Sequence, residues 1–133
     1  MMNDTTVRVL IADDQPQVRS ALRLLLKQEA GTTVVGEASN LKQALEQAAE
    51  QRPDLLLLDW ELPGGGGSAV LVGLRALRPG LKVIALSGRP EARWAALDAG
   101  VDAFISKGDP PEQFLAAVND CCHRQHKQTK GVE

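Results

Sequence analysis

The chain is poor in aromatic residues, with two Trp, two Phe and no Tyr among 133 residues. Its core must therefore be built from Leu, Val, Ile and Ala, and a hydrophobic content of 44% supplies them. No apolar run approaches the roughly 20 residues that a membrane helix needs. Positive charge is not in excess either: the formal net charge is −2. That balance speaks against a nucleic-acid surface, which is normally basic. The start, Met1-Met2-Asn3-Asp4-Thr5-Thr6, is polar without a basic cluster, so no secretory signal is expected. A cytoplasmic protein without membrane contact is the expectation. Cysteine is scarce, and Cys121 and Cys122 are adjacent. Neighbours on a helix point about 100° apart, so a bridge between them would be strained. With His123 and His126 they match no metal-ligand spacing. They read as small residues of a C-terminal helix.

What the chain has is alternation. Its length suits one domain, expected over residues 1–122, with a polar tail over 123–133. Val7 to Ala12 is a β-rich apolar run that ends in Asp13-Asp14. A helix follows, with Val18, Ala21, Leu22 and Leu25 on one stripe and Pro16 in its first turn. Thr32 to Ser39 suits a short edge strand, and Leu41, Ala44, Leu45 and Ala48 mark a second helix. Leu55 to Leu58 is a continuous apolar run, as a strand buried on both faces requires. It closes on Asp59, which fits either a ligand at a strand end or the cap of the next turn. After Pro63 and Gly64 to Gly67, Ser68 reads as the N-cap of a third helix carrying Val70, Gly73, Leu74 and Leu77. Lys82 to Leu86 is a fourth strand ending at Ser87, and an Ala-rich helix runs from Pro90 to Gly100. Ala103 to Ser106 is a fifth strand, ending at Lys107. Asp109-Pro110-Pro111-Glu112 is a helix start, with Asp109 as cap. Strands alternating with helices predict an α/β fold with a five-stranded parallel sheet and five flanking helices. Right-handed crossovers allow the flavodoxin-like order 2-1-3-4-5.

In that order the first, third, fourth and fifth strands are neighbours. Their ends bring Asp13, Asp14, Asp59, Ser87 and Lys107 to one edge of the sheet, where open α/β sheets bind ligands. Like charges a few ångströms apart repel by about 4 kcal/mol per pair at an effective dielectric near 20. A hard divalent cation relieves this, and oxygen ligands with open positions suit Mg²⁺. Phosphoryl transfer needs mainly charge stabilisation and in-line positioning, and an Asp carboxylate can be its nucleophile. Lys and Ser beside a metal can hold phosphoryl oxygens. The bland alternative is an ion pair between Lys107 and Asp59 with Ser87 as a turn residue.

With these motifs the chain resembles the receiver domain of two-component response regulators. The resemblance rests on Val9-Leu10-Ile11-Ala12-Asp13-Asp14, on Leu57-Leu58-Asp59-Trp60-Glu61-Leu62-Pro63 with Gly67, on Ala85-Leu86-Ser87-Gly88, on Ala99 to Phe104, and on Ser106-Lys107. It extends from Val7 to about Asn119. It implies that Asp59 is the phosphoacceptor, charged by a histidine kinase, a phosphotransfer protein or a small acyl phosphate. Asp14, Asp59 and the backbone carbonyl of Glu61 would bind Mg²⁺, and Asp13 would act through a water on the metal. Lys107 would pair with Asp59 and then with the phosphoryl group. Ser87 would move to bond a phosphoryl oxygen, and Phe104 stands at the position of the family's switch aromatic. As a Phe in a strand it also reads as core packing.

The resemblance further implies a switch rather than a classical enzyme, with self-catalysed phosphorylation and dephosphorylation. The output would be a protein contact through the fourth helix, fifth strand and fifth helix, without direct nucleic-acid contact. Lys107-Gly108 departs from the family's frequent Lys-Pro and resembles the subgroup that carries a helix-turn-helix output domain. The glycine run raises the entropic cost of ordering its loop. Trp60 and Glu61 are expected at the mouth of the site, and Glu61 and Arg89 are expected to tune access of the hydrolytic water. A non-phosphorylated interaction module on the same fold is the alternative. An aspartyl phosphatase would need a cap domain to enclose its substrate, and a nucleotide binder would need a Gly-rich loop after the first strand.

Overall fold

Leucines 55 to 58 point alternately to the two faces of a sheet, as a strand's period of two requires. Leu55 and Leu57 join one buried cluster, and Leu56 and Leu58 join another. In the computed structural model, which describes residues 6–64 and 67–131 (residues 123–131 as backbone only), these leucines form β3 (Leu55–Asp59). The readings of Met1 to Thr5, of Gly65 and Gly66, and of the His123 and His126 side chains lie outside the described residues. Around β3 are β1 (Val7–Ala12), β2 (Thr32–Ala38), β4 (Lys82–Ser87) and β5 (Ala103–Ser106). The order across the sheet is β2-β1-β3-β4-β5 and every pairing is parallel. This is the order expected from the alternation of strands and helices.

The helices are α1 (Pro16–Leu26), α2 (Leu41–Gln51), α3 (Gly67–Leu77), α4 (Arg93–Ala99) and α5 (Pro111–Gly131), with a 3-10 turn at Pro90–Ala92. Leu22 and Leu26 of α1 and Phe114, Val118 and Cys121 of α5 pack with Val9, Ile11, Leu55, Leu57 and Ile84. Ala44 and Ala48 of α2, Val70 and Leu74 of α3 and Ala96 of α4 pack with Leu10, Leu56, Leu58 and Val83. The sheet is thus covered on both faces, which is why β3 reads as an unbroken apolar run while the edge strand β2 does not. Among the described residues no helix is long and apolar enough to cross a membrane.

Four local expectations shift. Ala21 is exposed while Leu26 is buried, so the core stripe of α1 is rotated toward Leu22 and Leu26. Helix α3 begins at Gly67 and takes in Ser68 as a helical residue. Helix α5 begins at Pro111, and the Asp109 carboxylate turns back to accept the Ser106 N–H at 3.0 Å. It thereby ties the end of β5 to the turn. Helix α5 also continues to Gly131, through most of the segment expected as a tail. No Pro or Gly interrupts residues 112–130, and Gln, Arg and Lys sustain helix well.

Candidate functional site

The parallel register sends the C-terminal ends of β1, β3, β4 and β5 to one edge. Asp13 directly follows β1, Asp59 and Ser87 end β3 and β4, and Lys107 directly follows β5. Asp13, Asp59 and Ser87 are buried. Lys107 is half-buried, and Asp14 and Glu61 are exposed. Carboxylate oxygens of Asp13, Asp14 and Asp59 lie within 4.8 Å of one another. Every residue expected at the site is therefore at this edge except Phe104. That side chain lies in the buried cluster under α2, α3 and α4 that also contains Ala92 and Ala96.

Local backbone bonds set the carboxylates. Asp13 Oδ1 accepts the Gln15 N–H at 2.9 Å, and the Asp13 carbonyl accepts from Arg19 at 2.6 Å. Asp59 Oδ1 accepts the Glu61 N–H at 3.0 Å. Lys107 Nζ lies 2.9 Å from Asp13 Oδ2 and 3.7 Å from Asp59 Oδ1. The sequence reading paired Lys107 with Asp59; the ammonium serves both carboxylates and sits closer to Asp13. Ser87 Oγ donates to Glu61 Oε2 at 2.8 Å and accepts the Arg89 N–H at 3.0 Å. Arg89 Nε is 4.0 Å from the same Glu61 oxygen. Glu61 and Arg89, which the sequence reading named together, thus lie close to each other, and Ser87 bonds to both.

Burial is the largest influence on Asp59 and pushes its carboxyl up to about 6 from the usual 3.8. The Glu61 N–H and Lys107 oppose the rise, while Asp13 and Asp14 add to it. Burial also works against the Lys107 ammonium, but the Asp13 carboxylate and the Asp59 charge outweigh it and hold the lysine above its usual value. The site thus holds more negative charge than one ammonium balances. Three clustered carboxylates offer only oxygen donors, two of them from buried side chains. That set can hold a metal and fits a hard divalent cation.

Two contributors escaped sequence reasoning. Arg19 supports Asp13 from α1 while its Nε bonds Glu37 Oε1 at 2.8 Å, and nothing in the sequence sets it apart from the other arginines. The Trp60 ring lies against the Gly67 backbone, where a Cβ would collide with it. The glycine stands there for close approach and not only for loop freedom.

Comparison with known proteins places this geometry. Residues 9–119 match the response regulator receiver domain family. The nitrate/nitrite response regulator NarL of Escherichia coli (strain K12) is 36% identical over 121 residues, 90% of this chain and 56% of that protein. The transcriptional activator ExaE of Pseudomonas putida is 36% identical over 112 residues, 83% of this chain and 52% of that protein. The chain spans about half the length of these curated relatives. Among solved structures, a CheY-like receiver domain protein from Methanospirillum hungatei superposes with a TM-score of 0.80 at 30% identity, covering 92% of this chain and 98% of that one. The receiver domain of AraT from Geobacillus stearothermophilus gives 0.83 at 28% identity, covering 93% and 98%.

Proposed function

Since the chain belongs to the response regulator receiver domain family, we propose that Asp59 is its phosphoacceptor and that phosphorylation there switches a protein-contact surface. The observation that carries this is the cluster of Asp13, Asp14 and Asp59 with Lys107 Nζ 2.9 Å from Asp13 and 3.7 Å from Asp59. The receiver unit spans residues 1–122 in this reading.

An ionised Asp59 oxygen attacks the phosphorus of a phosphohistidine or an acyl phosphate. The new O–P bond forms as the P–N or P–O bond to the donor breaks, and the donor leaves with that electron pair. Lys107 lies close enough to Asp59 to follow the charge onto the phosphoryl oxygens, and Ser87 supplies a hydroxyl donor to one of them. Mg²⁺ would be held by Asp14, Asp59 and the Glu61 backbone carbonyl, with Asp13 reaching it through water. When bound, it supplies neutralising charge for the carboxylates and the transferred group. Positioning of the acceptor is this chain's own contribution, so uptake from a small acyl phosphate needs no second protein. In that sense the domain catalyses its own modification and works as a switch, not as an enzyme turning over an external substrate.

The added phosphoryl charge draws Ser87 and then Phe104, biasing a two-state element toward its active form. The reading surface is α4–β5–α5, where Trp94 and Leu97 stand exposed one helical turn apart on α4. The donors would be a histidine kinase or a phosphotransfer protein, in the cytoplasm. Nucleic-acid contact by this domain is not expected at a net charge of −2. If the chain is joined to a second half like that of its longer relatives, such contact would fall to that half.

The test is incubation with acetyl phosphate and MgCl₂ followed by intact-mass measurement. A gain of one phosphoryl group is expected, suppressed by EDTA and absent in Asp59→Asn. No gain would favour the alternative, an interaction module that keeps the fold without the chemistry.

A further inference from the structure

We infer that Glu61 is a positioning residue that holds the Ser87 hydroxyl away from Asp59, so that the switch must break a Glu61–Ser87 hydrogen bond before it can turn on. The inference rests on the phosphoacceptor reading above and adds a restraint built into this chain. Ser87 is fully buried, and its Oγ donates to Glu61 Oε2 at 2.8 Å. Its remaining capacity accepts the Arg89 N–H at 3.0 Å. A serine hydroxyl has one proton to donate. It cannot serve the Glu61 carboxylate and a phosphoryl oxygen on Asp59 at once. Hydrogen bonds to an ionised acceptor are among the stronger ones, so the two acceptors compete for the same proton.

The backbone keeps the competitor in place. The Glu61 N–H donates to Asp59 Oδ1 at 3.0 Å, and the Trp60 N–H donates to the Leu86 carbonyl at 2.7 Å. The first bond fixes Glu61 at the end of β3, and the second ties that stretch to the end of β4, next to Ser87. Arg89 Nε lies 4.0 Å from Glu61 Oε2, but both side chains are exposed, and exposed ion pairs contribute little. The bond to the buried hydroxyl is the contact that matters. Once released, the Glu61 carboxylate is open enough to return to water. The resting state is therefore favoured by one hydrogen bond that the active state lacks.

The test is a double-mutant cycle over Glu61→Ala and Ser87→Ala, with beryllofluoride and MgCl₂ as the phosphoryl mimic. The residue-61 amide resonance reads binding in every variant, because its acceptor is Asp59 Oδ1, and thermal unfolding confirms that each variant is folded. Glu61→Ala is expected to bind the mimic about 3- to 10-fold more tightly, the range of one net hydrogen bond, and to have no effect in the Ser87→Ala chain. Glu61→Gln keeps an acceptor oxygen without the charge and is expected to fall between wild type and Glu61→Ala. An equal gain in both Ser87 backgrounds, or a Gln variant that behaves like Ala, would show charge repulsion instead and overturn the inference. So would no gain at all. Failure of wild type to bind the mimic is a separate result, which removes the phosphoacceptor reading itself and the restraint with it.

Discussion

The Lys107 ammonium is closer to Asp13 than to Asp59, at 2.9 Å against 3.7 Å. The lysine is thus a counter-ion of two buried carboxylates, and removing it leaves both without that charge. Breaking a buried ion pair from one side is strongly destabilising. Lys107→Ala should lower the unfolding free energy by about 2–4 kcal/mol at pH 7.5 in EDTA, below the fully buried limit because the lysine is partly solvated. MgCl₂ should restore most of the loss. The Asp59 carboxyl should also rise further, since Lys107 holds it down. Urea unfolding and a carboxyl NMR titration check both. A variant as stable as wild type in EDTA would count against the shared ion pair.

Asp59 makes the metal-free protein sensitive to pH. Its carboxyl stands at about 6 in the fold, chiefly through burial, against the usual 3.8. The folded state holds this proton more tightly than the unfolded chain. Its stabilising contribution is therefore complete below about pH 4 and is lost as the pH rises through 6. A shift of about 2 units corresponds to up to about 3 kcal/mol. In EDTA, Asp59→Asn should melt above wild type at pH 8, and the gap should close toward pH 4. Thermal scans across that window decide it, and a constant gap would argue against a buried, titrating Asp59.

Most of this site was legible because it depends on strand ends. Leu55 to Leu58 reads as a doubly covered strand, so Asp59 falls at its end whatever the loops do. The same logic places Asp13, Ser87 and Lys107. What the strand ends do not determine is partner choice. Whether Lys107 leans to Asp13 or Asp59 depends on a side-chain rotamer, and Ser87 meets Glu61 across 26 residues of chain. Asp109 looked like a helix cap because its neighbours are Pro-Pro-Glu. Its carboxylate found the Ser106 N–H instead, a competition that local sequence does not resolve.

The Trp60–Gly67 contact gives a packing prediction. A Cβ at residue 67 would collide with the Trp60 ring, so Gly67→Ala must displace either the indole or the start of α3. Overpacking of this kind costs about 1–3 kcal/mol. The melting temperature should fall, and much of the loss should return when Trp60→Leu is added, because the smaller side chain clears the Cβ. Equal penalties with and without the Trp60→Leu change would place the cost in the backbone rather than in the ring.

The two phenylalanines separate switching from packing. Phe104 is buried in the α2–α3–α4 core, with the Arg93 guanidinium 5.0 Å from its ring centroid. Phe114 is buried against the other face of the sheet. If Phe104 responds to the site, its ring and the Arg93 contact must rearrange when Ser87 moves, while Phe114 has no reason to. Fluorine labelling of phenylalanine gives one resonance for each ring. On adding beryllofluoride with MgCl₂, the Phe104 resonance should shift and the Phe114 resonance should hold. Arg93→Ala should weaken the resting arrangement by about 0.5–1 kcal/mol, the strength of such a cation–π contact, and so move Phe104 part of the way toward the bound position without the mimic. Two unmoved resonances would leave Phe104 as core packing alone and shift the output to contacts on α4 that do not involve the ring.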